Sequence, residues 1–514
     1  MAQRVVFNGR LFTEPTSQAR VIGGVNNAAS PLSFGNICII DTVTPPVGEE
    51  YGFGRGAMTG TVGNQFDDFV YEIDSPQTFR KAVKGGKLWD LAEYLWNPAN
   101  GQQGASKVFY IRAADTVAGS KTLTMNDGKT WIFTTKEEGV VVNGVLSGSD
   151  LSKGYAITLE TGVIDPTKVL FKFWRGTYKG QDANGFEYDA QTAAQAAQNP
   201  ELVIKSPELT AATAAAEFIA WAAQDETFQE WFVFTGTAQS SGTGAIDTTA
   251  ITGDVALLAG FQLVAGGTES YSSDAIDHVL STISELDNSI FLALEDGANA
   301  AGTNNLKILS HIVNEADFRK HIIIGGGYGS TNFSAQSLTS AATLDSELAV
   351  VCHGGFTVPY ALNLAIPVPK TAVYKAALVA GRLAGQEPQI PLTYKKLRVG
   401  TEVHQLNKTE RVNALDGGVL HVKKHRVLGW VVNQGINSLQ RNNYMINSDG
   451  TSPEISIERI KAQLSREIAQ NAEIEFIGGN LYTASAKVIE EFVKSYLASK
   501  LVVIGRNDGL IVWF

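Results

Sequence analysis

The chain has 514 residues, more than a single hydrophobic core usually supports, so two to four domains are expected. Its composition is 44% hydrophobic and 18% charged, as in soluble globular proteins, and no run approaches the ~20 apolar residues of a membrane span, so membrane insertion is not expected. Fifty-two acidic against 41 basic side chains give a formal charge of -11, which opposes attraction to phosphate backbones and disfavours nucleic acid as a partner.

The first residues, MAQRVVFNGR, lack the apolar stretch and small-residue cleavage site of a secretory signal, so the protein is expected to be made and kept in a cytoplasm until assembly or lysis. Within an N-terminal arm (1–25), Val5-Val6-Phe7 and Leu11-Phe12 flank Asn8-Gly9, a dipeptide suited to a tight hairpin. Residues 26–112 mix Gly-rich loops with a helical stretch near Leu88–Trp96 and the strand-like VFYIR, the first part of an α/β core. From 113 to 190 the text turns to short strands and turns, with Asn126-Asp127-Gly128 as a hairpin connection, which predicts an inserted β-rich domain.

The core resumes over 191–400. An alanine-rich helix is expected from Pro207 to Gln224, then EWFVF as a strand. Ile276, Val279, Leu280, Ile283 and Leu286 fall at helical spacing, and SIFLALED follows as a buried strand. A helix near Asn305–Val313, the strand HIIIGGG and a small-residue helix over Thr371–Ala384 complete this part. Residues 401–500 form a C-terminal domain that opens with strands (GGVLHVKKHRVLGWVV) and continues in two helices. The first starts at Ser452-Pro453-Glu454, with Ile457, Ile460, Leu464 and Ile468 as its apolar stripe. The second, from Ala486 to Ala498, is expected to bury Ile489, Phe492, Val493 and Tyr496 or Leu497.

The last segment, 501–514, repeats the signal of the first: Leu501–Ile504 and Leu510–Phe514 flank GRNDG as a second hairpin. Terminal strands this apolar need cover on both faces. They can pair with the protein's own sheet or add to a neighbouring subunit, and the pattern leaves both open. The candidate intersubunit strand residues are Val5, Phe7, Leu11, Val502, Ile504, Ile511 and Trp513. Cys38 and Cys352 sit in apolar surroundings and read as buried free thiols, the alternative being an intermolecular disulfide across a subunit boundary.

No residue set asks for a cofactor, a metal or catalysis. Gly325-Gly326-Gly327-Tyr328-Gly329-Ser330 follows a strand as a phosphate loop would, but no Gly-Lys-Ser/Thr follows, so a structural turn is the better reading. Cys352 and His353 are adjacent on a strand and point to opposite faces. His421 and His425 lie in what reads as a surface strand with no third ligand beside them.

The order of segments resembles that of contractile phage tail sheath proteins and related injection systems. The best segment is ALVAGRLAGQEPQIPLTYKKL (Ala377–Leu397), similar to the family's Val-Ala-Gly helix, loop and proline turn. VLGWVVNQGINSL, ISIERIKAQLSREI and EFIGGNLYTASAKVIEEFVKSYL then follow in the family's C-terminal order. Upstream, FWRGTYKGQDANGFEYD and LVAGGTESYSSDAIDHVLSTI resemble further segments, while the chain ends sooner after its last helix than many relatives. The resemblance implies a mixed α+β multidomain fold and a structural, non-enzymatic subunit of stacked hexameric rings around a tail tube. It implies as partners the chain itself, the tube protein, and baseplate and tail terminator proteins. The location implied is the virion, reached from the host cytoplasm. The rival readings are another self-assembling virion or injection-apparatus subunit, or a cytoplasmic nucleotide-binding enzyme using the Gly325 loop.

Overall fold

The computed structural model describes residues 5–7, 10–12, 35–43, 54–82, 86–124, 130–147, 150–165, 168–176, 179–181, 187–189, 200–210, 214–236, 261–284, 286–314, 320–327, 333–360, 363–440, 452–472, 486–499, 501–502 and 511–512. The fold is mixed α+β and multidomain, with several separate sheets and dispersed helices. It divides into two compact units: 1–40 with 94–109 and 280–514, and 41–93 with 110–279. The β-rich stretch expected at 113–190 lies inside the second unit.

The largest sheet includes, in order, Val419–Leu420, Ala349–His353, His321–Gly326, Ile290–Ala293, Asn36–Asp41 and Lys107–Arg112; the first four strands lie wholly in the first unit, while Asp41 and residues 110–112 are counted in the second. Pairing from Val419–Leu420 through to Asn36–Asp41 is parallel throughout. Parallel strands are covered on both faces, and the sequences NICIID, IFLA, HIIIGG and AVVCH are accordingly buried at every position. The helices Thr303–Asn314 and Phe333–Leu344 serve as crossovers between consecutive strands.

The helix Ala372–Ala384, expected from its small residues, is buried along its whole length. Close packing is the reason for its alanines and glycine: a Cβ at Gly325 would stand 2.5 Å from the Ala372 carbonyl carbon, and one at Gly381 would collide with the Leu95 carbonyl oxygen. Two charges enter this core. Lys375 Nζ lies 2.6 Å from Glu402 Oε1 and donates to the His353 carbonyl at 2.6 Å, with both side chains almost fully buried. Arg459 donates from Nη2 to the Leu383 and Gln386 carbonyls, at 2.7 and 3.1 Å, so its charge sits at the negative end of this helix. Burial lowers its pKa to about 9.

In the second unit one sheet runs Phe232–Thr235, Thr130–Glu138, Ala114–Thr124, Met58–Thr59 and Val62–Gly63, with Thr268–Tyr271 also paired to Ala114–Thr124. Thr124 pairs antiparallel with Thr130 across the Asn126-Asp127-Gly128 loop, as the turn signal requires. A second sheet is built on the hairpin Tyr155–Thr161 and Lys168–Arg175. Strict alternation sends Trp131 and Phe133 inward from the first sheet, where they meet Phe171 and Phe173 of the second and Phe218 of the helix Ala214–Ala222. Ring centroids of 5.2 Å for Trp131–Phe218 and 4.9 Å for Phe171–Phe218 mark the centre of this core. The expected helix over Pro207–Gln224 is shorter, because Leu209–Thr210 forms a strand, and Glu226–Trp231 is a helix before the strand begins at Phe232. Asp225 caps that helix by accepting from Phe228 N at 2.8 Å.

A buried polar network crosses this unit. Tyr110 donates to Asp41 Oδ2 at 2.7 Å, Tyr271 approaches the same oxygen at 3.4 Å, and Arg112 pairs with Glu269 and donates to the Gly54 and Glu138 carbonyls. Glu138 in turn accepts from Thr116 at 2.5 Å and from Arg55 at 3.0 Å. Burial pushes Asp41 up to about 6, against the lowering effect of Tyr110 and Arg112.

Candidate assembly surfaces

The N-terminal ribbon forms where Asn8-Gly9 predicts it: Val5–Phe7 pairs antiparallel with Arg10–Phe12, Val5 opposite Phe12 and Phe7 opposite Arg10. This places Val5, Phe7 and Leu11 in one two-stranded sheet with no third strand among the described residues. At the C-terminus Leu501–Val502 pairs with Ile511–Val512, which brings Val502 and Ile511 into one ladder. The pairing is parallel, not the expected hairpin. A tight turn returns the chain antiparallel, so a parallel ladder does not fit the hairpin reading; GRNDG itself lies outside the described residues. Ile504 and Trp513 lie outside the described residues. A two-stranded sheet is marginal in water on its own, and each of these carries two outer edges.

The two C-terminal helices differ from their sequence reading in the same direction. The first spans Ile455–Ala472, starting after Ser452 and Pro453: Ser452 Oγ accepts from Glu454 N at 3.2 Å, and Glu458 accepts from Ser452 N at 2.8 Å. Its stripe of Ile457, Ile460, Leu464 and Ile468 is only half-buried, and the covered face is instead Ile455, Glu458, Arg459, Ala462, Gln463 and Arg466. Polar side chains go inside because they find partners there, Arg459 on the Leu383 carbonyl and Glu458 on Ser452 and Lys461. The second helix, Ala486–Ser499, has no buried residue among those described. Ile489, expected inside, is 40% exposed beside Val488 at 46%, while Phe492, Val493, Tyr496 and Leu497 are half-buried. Tyr496 reaches back to donate to Glu467.

The candidates for chemistry resolve as packing. Gly325 and Gly326 end the strand His321–Gly326, and a Cβ on Gly326 would meet Val351 Cγ1 at 2.7 Å, while one on Gly327 would strike Gly297. These glycines admit the neighbouring backbone, as a structural turn requires; Tyr328–Ser330 lie outside the described residues. Cys352 and His353 are both buried in the central strand, and His353 Nδ1 is 3.4 Å from a Ser337 hydroxyl that already donates to Gly327. His421 is fully buried, contrary to the surface strand expected for it, because it directly follows the edge strand Val419–Leu420 in the core. His425 is half-buried in the next hairpin and accepts from Val427 N and Leu428 N. Among the described residues no group of three or more His, Cys, Asp or Glu is placed to hold a metal ion, and no helix is long and apolar enough to cross a membrane.

Cys38 and Cys352 are free thiols with no exposed surface. Burial raises both, Cys352 to about 12 and Cys38 further. In the native protein neither thiol should react with a disulfide reagent at neutral pH, and both should react on unfolding. One fast-titrating thiol per chain before denaturation would show that the sheet opens at that strand.

No family profile matches the chain. A tail sheath protein of Bacillus phage SP01 is 26% identical over 198 residues, which is 37% of this chain and 33% of that relative, so the match takes in a third of the relative's length. Among solved structures, a sheath tail protein from Desulfitobacterium hafniense superposes with a TM-score of 0.54 at 13% identity, covering 91% of this chain and 85% of the other. A sheath tail protein from Listeria innocua gives 0.50 at 14% identity, over 90% and 82%. The mixed α+β architecture with its parallel core sheet is therefore the fold of the sheath tail proteins, carried in nearly its full extent by this chain.

Proposed function

We propose that the chain is the structural subunit of a contractile tail sheath, which polymerises as stacked hexameric rings around a tail tube and contracts to drive the tube through a host envelope. Its partners on this reading are further copies of itself, the tube protein, and baseplate and tail terminator proteins, in a virion assembled in the host cytoplasm. The observation that carries the reading is the fold shared with sheath tail proteins over nine-tenths of the chain. Two features support it: two terminal sheets that have only two strands each among the described residues, and a C-terminal helix with Val488 and Ile489 exposed. Strand addition to neighbouring copies would complete those edges through backbone hydrogen bonds, with Val5, Phe7, Leu11, Val502, Ile504, Ile511 and Trp513 in the joining strands. Contraction would then be a rigid-body rearrangement with the arms as hinges. Close packing accounts for Gly325, Gly326 and Gly327, which favours this reading over a nucleotide-binding enzyme.

Electron microscopy of the purified protein at rising concentration tests this directly, with hollow tubes or stacked rings expected. Deleting residues 1–12, or everything after Lys500, should leave folded protein that sediments as a monomer. Normal polymers from both deletions would exclude strand exchange; small particles from the intact chain at every concentration would exclude self-assembly.

A further inference from the structure

Charge is segregated along this chain. From Ser206 to Leu306 there are 14 Asp and Glu and no Lys or Arg, whereas Tyr394 to Trp430 holds eight Lys and Arg against three Asp and Glu. One of those three, Glu402, is buried on Lys375 and does not reach the surface.

The fold gathers each charge on a surface of its own unit. In the first unit, the hairpin Val422–His425 and Gly429–Val432 gains a third row from the chain before it: Tyr394 N donates to Val432 O at 2.9 Å, Val432 N to Lys395 O at 2.9 Å, and Leu397 N to Trp430 O at 3.2 Å. Lys396, Arg398, Lys424 and Arg426 are exposed on this ribbon. Among the described residues none of Lys396, Lys424 and Arg426 has a carboxylate partner. The ribbon is held in shape. Lys423 Nζ sits 4.2 Å over the Tyr394 ring and donates to its hydroxyl at 2.9 Å, and His425 Nδ1 pins the tip by accepting from Val427 N at 3.2 Å and Leu428 N at 3.1 Å. That tip presents Val427, 81% exposed, and Leu428 amid the cations.

In the second unit, His278 of the helix Ser273–Thr282 joins that helix to the short helix Phe66–Phe69. Its Nε2 is 2.9 Å from the Asn64 carbonyl oxygen, and its ring centroid is 5.8 Å from that of Phe69. The two helices and the adjoining strand Val70–Ile73 expose Asp67, Glu72, Asp74, Asp274 and Asp277, with Asp68 beside Arg55 at 3.8 Å.

We infer that the basic ribbon around Lys396, Lys424 and Arg426 docks on the acidic face around Asp67, Asp74 and Asp274 of a second copy of this chain. Among the described residues Lys396, Lys424 and Arg426 on the one, and Asp67, Asp74 and Asp274 on the other, are exposed to solvent. Because the patches differ, a two-fold contact of either face with itself would bring like charges together. The favourable arrangement is head-to-tail, the kind that repeats into rings or helices. Val427 and Leu428 supply an apolar centre inside a charged rim. The inference rests on the self-assembly reading and adds to it a surface distinct from the terminal arms.

The test keeps both arms intact and reverses charge in two proteins. One carries Lys396→Glu, Lys424→Glu and Arg426→Glu; the other carries Asp67→Lys, Asp74→Lys and Asp274→Lys. Sedimentation velocity at low salt follows assembly against concentration. Each variant alone should need at least ~10-fold more protein than the wild type to assemble, and wild-type assembly should weaken as salt shortens the range of these interactions. An equimolar mixture should recover the wild-type threshold, since one variant is acidic on both faces and the other basic on both. Gln at the same six positions keeps the test decisive should a reversal disturb folding, and should give an intermediate threshold. Variants that assemble singly like the wild type, or a mixture no better than its components, would overturn the docking surface while leaving the sheath reading in place. A wild type that stays monomeric at every concentration would remove the reading itself, and the inference with it.

Discussion

Replacing Glu402 with alanine should cost the protein about 3–5 kcal/mol of stability, measured by urea denaturation at pH 7.5, because it strands the Lys375 ammonium in the core. Lys375 has no exposed surface, and its ammonium would keep the hydrogen bond to the His353 carbonyl alone among the described residues. The neighbouring histidines cannot take over from Glu402: His353 and His421 both lie below the usual histidine range, so at pH 7.5 they are neutral and supply no negative charge. Burial and the charge of Lys375 hold His353 well below the usual histidine range. The double variant Lys375→Met with Glu402→Leu should recover most of the loss, because an apolar pair of similar volume avoids desolvating two charges. A loss below about 1 kcal/mol for Glu402→Ala alone would mean that the ammonium has a route to water or another partner.

The second large effect is on pH dependence, where two buried groups act with opposite sign. Asp41 is raised from 3.8 to about 6 by burial, so the fold holds its proton more tightly than the unfolded chain does. Its contribution is complete below pH 3.8 and is lost as pH rises through 6, a span of about 3 kcal/mol at most. His421 is lowered from 6.5 to about 4, again chiefly by burial, with Lys375, Arg411 and Lys423 acting in the same direction. Its contribution is complete above pH 6.5 and is lost as pH falls through 4, by about the same amount. Acidification from pH 7.5 to 4.5 therefore strengthens the Asp41 network while weakening the His421 region. Asp41→Asn should remove the gain and expose the loss, so that the variant falls behind the wild type by about 2 kcal/mol over that interval. Parallel stability profiles for the two proteins would show that Tyr110, Tyr271 and Arg112 hold the carboxylate ionised.

The sequence made the parallel core readable, because a strand covered on both faces announces itself as an unbroken apolar run. SIFLALED and HIIIGGG needed no partner to be recognised. The helix bearing Ile276, Val279 and Leu280 was legible for a related reason: its inner face is purely apolar and its period is 3.6. Helix Ile455–Ala472 defeated the same rule. Its buried face contains Glu458, Arg459 and Arg466, and the groups that make this tolerable for Arg459 stand 73 and 76 residues away in sequence. Periodicity reports where apolar residues lie, not whether a distant carbonyl can receive a guanidinium. The terminal strands show a similar limit. Asn-Gly fixed the N-terminal ribbon because turn and register are one local event, whereas Asn507-Asp508-Gly509 gave no sign of the parallel pairing around it. The assembly faces were written in charge, as KKLR and KKHR on one side and a hundred residues without a base on the other. Only the fold could show that each collects on a surface.

The parallel sheet also sets a schedule for synthesis. Strand Asn36–Asp41 pairs with Ile290–Ala293, Ile37 opposite Ile290, so its neighbour is translated some 250 residues later. At roughly 5–20 residues per second the ribosome takes about 13–50 s to supply it. For that time an uninterrupted apolar strand, whose other neighbour Lys107–Arg112 is made early, waits with the edge meant for Ile290–Ala293 open, a condition that favours aggregation between neighbouring polysomes. The second unit is complete by residue 279 and can fold while the strand waits. A ribosome stalled just before Ile290–Ala293 would therefore carry Asn36–Asp41 with one edge unpaired, and that is the point at which a chaperone has most to do.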